Sequence, residues 1–394
     1  MENFKQLLKN LLIDTVEIPS VNGTEENLGQ YLYQFGLNNG LGVFKQYCTD
    51  TRFNVLLTYP AVDLEETTDF ALILHAHYDT VPPLDMQEPF VATVEGDYIK
   101  GRGAVDQKGG LVAALGTLMF LKENRVSLDK PICLAAVIDE ESEHRGSMVL
   151  SQSKIRGDFG IVTEPSILRA VLGCKGTLPI QITVEGKTAH GCRPWLGINA
   201  VEKSLGILKR LFEYEFEKVD FGKELGVLHN SINVGLIEAG TAYNNVPDKC
   251  VISLDCRIKP DDENQQMFDT ISQIIEEAKK EDPSLNATFK VAREDWDWPP
   301  IEKRGLKSAY VPLDSEIFKI AKKAHFKVNK KEIESYITDG YADLDFLIND
   351  MDIPSIIYGP GDPKLCHTAY EKISLEDVVK ASLFYYEFVM MIQR

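Results

Sequence analysis

Short continuous apolar runs alternate with helical segments in the first half of the chain. The runs Phe70–Leu74, Pro131–Ile138 and Phe159–Val162 have the length of buried strands, whereas Leu111–Leu121 has helical character. Strands that are apolar on both faces and separated by helices are typical of a mostly parallel sheet covered by helices. The pattern therefore predicts an α/β domain.

The pattern changes after Gly176, where apolar and polar residues begin to alternate as in a half-exposed antiparallel strand. The order strand, helix, strand, strand, helix, strand follows, which is typical of a ferredoxin-like α+β unit. These segments are Leu178–Gly186, Ala200–Tyr214, Ser231–Ile237, Cys250–Ile258, Gln265–Lys280 and Ala287–Val291.

From Ser315 onward helices and buried strands return, with Pro354–Tyr358 as a further buried strand. We therefore predict a discontinuous domain formed by 1–177 and 298–394, interrupted by an inserted domain at 178–297. A chain of 394 residues is long enough for two domains.

The formal net charge of −18 makes nucleic acid and anionic membrane surfaces improbable partners, because both repel an acidic chain. No apolar run approaches the roughly 18 residues of a membrane span. The first 20 residues have the pattern of an amphipathic helix and not of a signal peptide. We expect a cytoplasmic protein.

Acidic residues and histidines follow the apolar runs. They are His75, His77 and Asp79 after the first run, Asp139, Glu140 and Glu141 after the second, Glu164 after the third, and Asp362 and His367 after Pro354–Tyr358, with Asp106 just before a helix. In an α/β sheet, ligands bind outside the carboxyl ends of the strands. Crowded carboxylates stay ionised when a cation lies among them. Imidazole with carboxylate suits zinc, and also cobalt or manganese. The number of donors indicates two metal ions that share one carboxylate.

Each motif alone has a simpler interpretation. His77 with Asp79 could form a hydrogen-bonded loop, and the acidic triplet at 139–141 could be a solvated helix start. GRGAVDQKGG at 101–110 resembles a phosphate-binding loop but lacks the spacing G-x-x-x-x-G-K-[ST]. The metal hypothesis rests on all these motifs occurring together at strand ends.

As a set, the motifs LHAHYDTVP, GRGAVDQKGG, IDEES, IVTEPS, GKTAHGCRPWLGINA, GTAYNNVPDKC, DCRIKP and YGPGDPKLCHTAYEKI resemble the M20 metallopeptidases in sequence and order. That family includes acetylornithine deacetylase, succinyl-diaminopimelate desuccinylase, aminoacylases and zinc carboxypeptidases. The resemblance extends from about His77 to Glu371 and so covers most of the chain.

The resemblance implies five metal ligands, namely His77 and Glu164 for one ion, Glu141 and His367 for the other, and Asp106 for both. It also implies that Asp79 orients the ring of His77, as carboxylates commonly do for ligating histidines. Glu140 would be the general base that takes a proton from the attacking water.

The inserted domain also carries residues that match the family. His190 matches a histidine that stabilises the oxyanion, in many members from the partner subunit of a dimer, so we expect a homodimer. Asn244 matches an asparagine that contacts substrate, and Arg257 matches an arginine that holds a substrate carboxylate. Gly340 and Gly359 would shape the pocket wall. Without their motifs, the histidine would be read as structural and the arginine as an ordinary solvent-facing residue.

Several positions depart from the family pattern. Ala76 stands where glycine is usual, Gln107 where methionine is frequent, Ala239 where glycine is frequent and Asn245 where valine is frequent. None of these changes removes an expected ligand or the expected base. His75 lies on the same side of an extended chain as His77, and we expect it to be buried behind the site and not to be a ligand.

We consider three functions. The leading hypothesis is metal-dependent hydrolysis of an N-acyl amino acid, motivated by the five expected ligands and Glu140. Within the resemblance, Glu164 in place of aspartate leans towards the deacylases. The second keeps the chemistry but changes the substrate to a di- or tripeptide, or to that of a carboxypeptidase. The third is a non-catalytic metal-binding scaffold.

Overall fold

The computed structural model describes residues 1–292 and 305–393. The chain divides into two compact units, each assembled from separate segments. The first unit comprises Met1–Gly173, Tyr310–Ile337 and Ala342–Arg394, and the second comprises Cys174–Ala309 and Thr338–Tyr341. The predicted boundary between residues 297 and 298 lies outside the described residues, and the assignment of 178–297 as a dimerisation domain stays a prediction.

The helices and strands follow one another along both units. The strands are β1 (Gly42–Tyr47), β2 (Phe53–Tyr59), β3 (Asp69–His77), β4 (Thr93–Glu95), β5 (Tyr98–Lys100), β6 (Ile132–Val137), β7 (Arg156–Val162), β8 (Ala170–Cys174), β9 (Gly176–Glu185), β10 (Val219–Asp220), β11 (Val227–Leu228), β12 (Ser231–Ala239), β13 (Lys249–Ile258), β14 (Asn286–Val291), β15 (Ala309–Tyr310), β16 (Ser335–Thr338), β17 (Ser355–Ile357) and β18 (Lys372–Ser374). The α-helices are Glu2–Glu17, Glu26–Asn38, Gly109–Glu123, Arg145–Gln152, Ala200–Glu213, Asn264–Glu281, Glu316–Asn329 and Leu375–Ile392. A π-helical turn at Ala104–Lys108 leads into the third helix.

The first unit is built on a mixed sheet in which β1, β2, β6, β3, β7, β17, β8 and β15 lie side by side, with β16 paired to β8. The neighbours β6, β3, β7 and β17 run parallel to one another. The strands β1 and β2 continue the sheet in antiparallel fashion. This confirms the predicted α/β fold. Because the four central strands are parallel, their carboxyl ends lie at the same edge of the sheet.

Helices cover the central strands. The Gly109–Glu123 helix contacts β2, β3 and β6, and the Glu2–Glu17 and Leu375–Ile392 helices pack against it. It is buried along most of its length, as expected for a helix that is apolar on all sides. Its start lies against the end of β7, since a Cβ atom on Gly110 would lie 2.1 Å from the carbonyl oxygen of Thr163.

The second unit contains a four-stranded antiparallel sheet in the order β12, β13, β9, β14. The helices Ala200–Glu213 and Asn264–Glu281 pack on it, so the predicted strand–helix–strand–strand–helix–strand order is observed. The alternation in β9 reflects this packing, because Leu178, Ile180 and Ile182 are buried. Across the described residues of both units, no helix is both long and apolar enough to span a membrane.

Candidate metal centre

The parallel strands deliver acidic and imidazole side chains to one edge of the sheet in the first unit. His77 is the last residue of β3, and Glu164 follows the end of β7 by two residues. Glu140 and Glu141 follow β6, and His367 lies in the segment between β17 and β18. The Ala104–Lys108 turn adds Asp106, whose own backbone is not helical, with φ −120° and ψ 96°.

These side chains form two groups of donor atoms, and Asp106 belongs to both. One group is His77, Asp106 and Glu164, and the other is Asp106, Glu141 and His367. Within each group the donor atoms lie within 4.8 Å of one another. The sequence-based ligand assignment therefore names residues that the fold brings together in space.

The two oxygens of Asp106 face two different histidines. Its Oδ1 lies 3.1 Å from Nε2 of His77, and its Oδ2 lies 3.3 Å from Nε2 of His367. Glu164 Oε1 lies 3.5 Å from the same nitrogen of His77, and Glu141 lies 3.0 Å from that of His367. A carboxylate placed in this way has one oxygen available to each of two neighbouring cations.

Asp79 holds several of these groups in place. The Nδ1 of His77 lies 3.0 Å from the backbone oxygen of Asp79 and 3.4 Å from its carboxylate. A hydrogen bond at Nδ1 leaves Nε2 as the nitrogen that could bind a cation. The carboxylate of Asp79 also accepts the backbone N–H groups of Glu140 and Glu141, at 3.1 and 3.0 Å. Asp79 thereby fixes the backbone that carries both glutamates.

Two residues position Glu164. Gln107 donates its side-chain amide to Glu164, and its carbonyl accepts a hydrogen bond of 2.6 Å from the hydroxyl of Thr163. Gly359 allows the neighbouring loop to approach, since a Cβ atom there would lie 2.3 and 2.4 Å from the carbonyl oxygens of Thr163 and Glu164. Gln107 entered the sequence analysis only as a departure from the family pattern, and its contact with Glu164 is visible only in the fold.

The ionisable groups of the site shift one another's pKa values. Hydrogen bonds with Asp106 and Glu141 raise the pKa of His367 to about 10. Burial alone would lower the pKa of His77, but the adjacent carboxylates outweigh burial and raise it. Burial raises the pKa of Glu141 and of Glu164, and the charge of Asp106 adds to this effect. Protons on the histidines therefore supply the positive charge when no cation is bound.

A buried polar network lies beside Glu140. Its side chain, His144 and Asp343 offer oxygen and nitrogen atoms within 4.8 Å of one another. Nδ1 of His144 lies 2.9 Å from one oxygen of Asp343, and the hydroxyl of Ser147 donates to the other. His75 joins the network through Nε2, which lies 2.7 Å from the hydroxyl of Ser147.

This network explains why a histidine occupies position 75. Burial lowers the pKa of His75 to about 4, so its ring is neutral at physiological pH. The sequence analysis expected a buried histidine here but could not name its partners. His144 and Asp343 were missed altogether, because their positions in the sequence give no sign that they meet.

The remaining predicted site residues belong to the second unit, apart from Gly359. His190 is exposed, and its Nδ1 accepts the backbone N–H of Cys192 at 3.2 Å. Asn244 is exposed and follows Tyr243, and its backbone oxygen accepts the N–H of Gly191 at 2.6 Å. His190 and Asn244 thus lie on neighbouring backbone segments of this unit.

Arg257 and Gly340 have partners within the second unit. The Nε of Arg257, on β13, donates to Asp255 at 3.1 Å. The backbone N–H of Gly340 donates to the hydroxyl of Thr338 at 3.2 Å. The roles assigned to His190, Asn244, Arg257 and Gly340 from the family resemblance stay predictions.

The donor set in the first unit fits a pair of divalent cations. It offers imidazole and carboxylate groups, which suit zinc, cobalt or manganese. In the described part of the chain, no lysine or arginine lies within ion-pair distance of Asp106, Glu141 or Glu164. By contrast, nearby Asp139 is paired with Arg52 at 2.6 Å. Lysine and arginine side chains therefore do not compensate the charge of these three acids, whose ion-pair partners among the described residues are histidines.

Comparison with known proteins identifies the family. The model of peptidase family M20/M25/M40 matches residues 73–391. The chain belongs to this family. It is therefore a hydrolase of amide or peptide bonds, and the scaffold hypothesis is wrong.

Individual proteins resemble this chain in sequence or in fold. A probable carboxypeptidase from Aspergillus clavatus is 29% identical over 291 residues, which cover 70% of this chain and 68% of the relative. A tripeptidase from Staphylococcus aureus has the same fold, with a TM-score of 0.79, 22% identity and coverage of 99% of both chains. A dinuclear metal binding peptidase from Bacillus subtilis gives a TM-score of 0.72 and 16% identity, over 100% of this chain and 99% of that one.

We predict that cation binding at this site releases protons. The adjacent carboxylates raise the pKa of His77 and of His367, so both rings keep their protons to a higher pH than a free imidazole, and a cation can bind Nε2 only after the proton leaves. Affinity should therefore rise with pH, by about tenfold per pH unit for each proton released. Calorimetric titration with zinc in two buffers of different ionisation enthalpy measures the number of protons. Heats that do not depend on the buffer between pH 6 and 8 would contradict the assignment.

Proposed function

We propose that this M20 hydrolase is a peptidase of short peptides that uses two divalent cations, with zinc favoured and cobalt or manganese as alternatives. The observation that carries the proposal is the position of Asp106. Its two oxygens face His77 and His367, which belong to separate donor groups that each include a glutamate. One carboxylate shared between two imidazole–carboxylate groups is the arrangement expected of a two-metal site.

The residues of the chain have distinct tasks in this proposal. His77 and Glu164 would hold one cation, Glu141 and His367 would hold the other, and Asp106 would be shared by both. The chemistry that bound cations would supply is Lewis acidity, which would polarise the scissile carbonyl and lower the pKa of water. Glu140 accepts the proton of the attacking water and then delivers it to the departing amine.

The environment of Glu140 suits a proton acceptor. Burial raises the pKa of its carboxyl group, as does the nearby charge of Asp343. A raised pKa makes a carboxylate a stronger base towards water. The hydrogen bond from the backbone N–H of Glu140 to Asp79 fixes the chain segment that carries it. The base is thus held on a rigid backbone next to the donor groups.

Replacing Glu140 by glutamine should lower kcat by about 10²–10⁴-fold, because the amide cannot accept the proton. Bound metal, measured by elemental analysis, should stay at two ions per chain. Glu143→Gln is the matched control, since Glu143 pairs with Arg145 and belongs to neither donor group, and it should keep wild-type kcat. Wild-type turnover by Glu140→Gln would reject this base.

The choice of a peptide substrate rests on the relatives. The Aspergillus protein is named as a probable carboxypeptidase, and the Staphylococcus structure is a tripeptidase. The contrary preference for an N-acyl amino acid rests on one feature, Glu164 in place of aspartate. We give more weight to the relatives, and we keep the deacylase as the second candidate.

A substrate panel with matched compounds separates these candidates. We expect di- and tripeptides to be cleaved with kcat/KM at least about 10²-fold above that of acetylornithine and succinyl-diaminopimelate. N-blocked versions of the same peptides lack the ammonium group and test for an aminopeptidase. Amidated versions lack the carboxylate and test for a carboxypeptidase. Hydrolysis of the acyl amino acids without peptide cleavage would reject the proposal in favour of the deacylase.

We also propose a homodimer formed through the second unit. β12 lies at the end of the strand order in this sheet, and it exposes Leu236 by 62% and Ile237 by 50%. An exposed, apolar strand edge is a ready surface for pairing with another strand. A second copy of the chain would cover this edge and could bring its own His190 to the site.

Sedimentation velocity tests the dimer. The wild-type protein should sediment as a dimer, and Ile237→Lys should shift it towards the monomer, because a charge at the edge opposes strand pairing. Val227→Lys is the control, since Val227 is similarly exposed, by 56%, but lies on β11. A monomeric, fully active wild-type enzyme would contradict both the dimer and the role of a partner histidine.

A further inference from the structure

Glu371 is a buried acid to which the proposed mechanism gives no task. It is fully buried, and it precedes β18, which pairs with β5. Its Oε2 accepts a hydrogen bond of 2.7 Å from Nη1 of Arg102, which is itself 1% exposed. The second terminal nitrogen of the guanidinium, Nη2, donates to the backbone oxygen of Pro83 at 3.1 Å. A charge buried at this depth is held by a matched partner.

The second oxygen of Glu371 is directed at the backbone of the Asp106 turn. Oε1 accepts the N–H groups of Val105 and Asp106, at 2.9 and 3.1 Å. The turn is not regular at this point, since Asp106 has non-helical backbone angles. A buried N–H group without an acceptor destabilises the folded chain. Glu371 therefore fixes the peptide groups from which the side chain of Asp106 projects.

The same chain segment also carries His367, four residues before Glu371. His367 lies 3.3 Å from Oδ2 of Asp106, while Glu371 binds the backbone of the same residue. One short segment thus contacts Asp106 at its carboxylate and at its main chain. Any shift of this segment would change both contacts together.

We propose that Glu371 is a positioning residue that sets the orientation of Asp106 and thereby allows one carboxylate to serve both cations. This inference rests on the proposed two-cation site and adds a residue that binds neither ion. Oε1 of Glu371 positions the turn by accepting the two N–H groups, while Arg102 compensates the negative charge of Glu371. Residues that orient metal ligands typically change metal affinity by about 10–100-fold when they are removed.

The test compares two variants in which the ion pair is removed in the same way. Arg102→Met/Glu371→Gln keeps a carbonyl oxygen within reach of both N–H groups, whereas Arg102→Met/Glu371→Ala keeps none. Neither variant contains an unpaired charge at these positions. Differences in metal binding between them therefore report on the acceptor and not on the ion pair.

Calorimetric titration with Co²⁺ and electron paramagnetic resonance of the loaded proteins provide the readouts. We expect wild type and the glutamine variant to bind two ions, with magnetic coupling through the shared carboxylate. The alanine variant should lose about 10–100-fold in affinity and lose the coupling. Urea unfolding should give similar free energies of unfolding for the two variants. The alanine variant should be less stable only by the contribution of its two lost hydrogen bonds.

The outcomes separate this inference from the proposed function. Wild type that binds fewer than two ions would reject the two-cation site itself. If the wild-type protein binds two ions and the two variants bind them with equal affinity, the positioning role is rejected and the proposed function stands.

If the alanine variant does not fold, hydrogen exchange of the wild-type protein tests the positioning role instead. The proposal requires that the backbone amides of Val105 and Asp106 exchange far more slowly than exposed amides. Fast exchange at both amides would overturn the proposal.

Discussion

The structure of the first unit depends on the electrostatic cost of several carboxylates placed at one edge of the sheet. Asp106, Glu141 and Glu164 lie close together in a largely buried position, and repulsion between them has to be balanced by positive charge. The two histidines next to these acids, His77 and His367, have raised pKa values and can supply that charge as protons in the free protein. Divalent cations supply it in the proposed active enzyme. The proposed binding of cations thus follows from the excess of negative charge that the fold places at this edge of the sheet.

The surroundings of the site show which acids are structural. Asp139 is held by Arg52, and Glu371 is held by Arg102, so the charge of each is neutralised inside the protein. These arginine pairs fix the backbone near the site without competing for a cation. Asp79 works in a related way, since hydrogen bonds from His77 and from backbone N–H groups outweigh the effect of burial and lower its pKa. Acids that look alike in the sequence therefore have separate tasks.

Much of the fold was predictable because the central strands are apolar on both faces. Phe70–Leu74 and Pro131–Ile138 were recognised for this reason, and parallel order placed the residues after them at one edge. The antiparallel strands β1 and β2 were not predicted, since they lie towards the side of the sheet and have a weaker apolar pattern. Neither Gln107 nor Asp343 could be assigned, because each acts through a partner that is distant in sequence.

The sequence by itself determined which chemical groups stand at the ends of buried strands, because apolar runs and the acids after them are local properties of the chain. It also determined the family, through motifs that occur in a fixed order. Only the tertiary structure decided which acids have an arginine partner and which have histidine partners. It also decided that one carboxylate, Asp106, faces both His77 and His367. Those properties depend on distances between segments up to 269 residues apart, as between Arg102 and Glu371, and such distances exist only once the chain has folded.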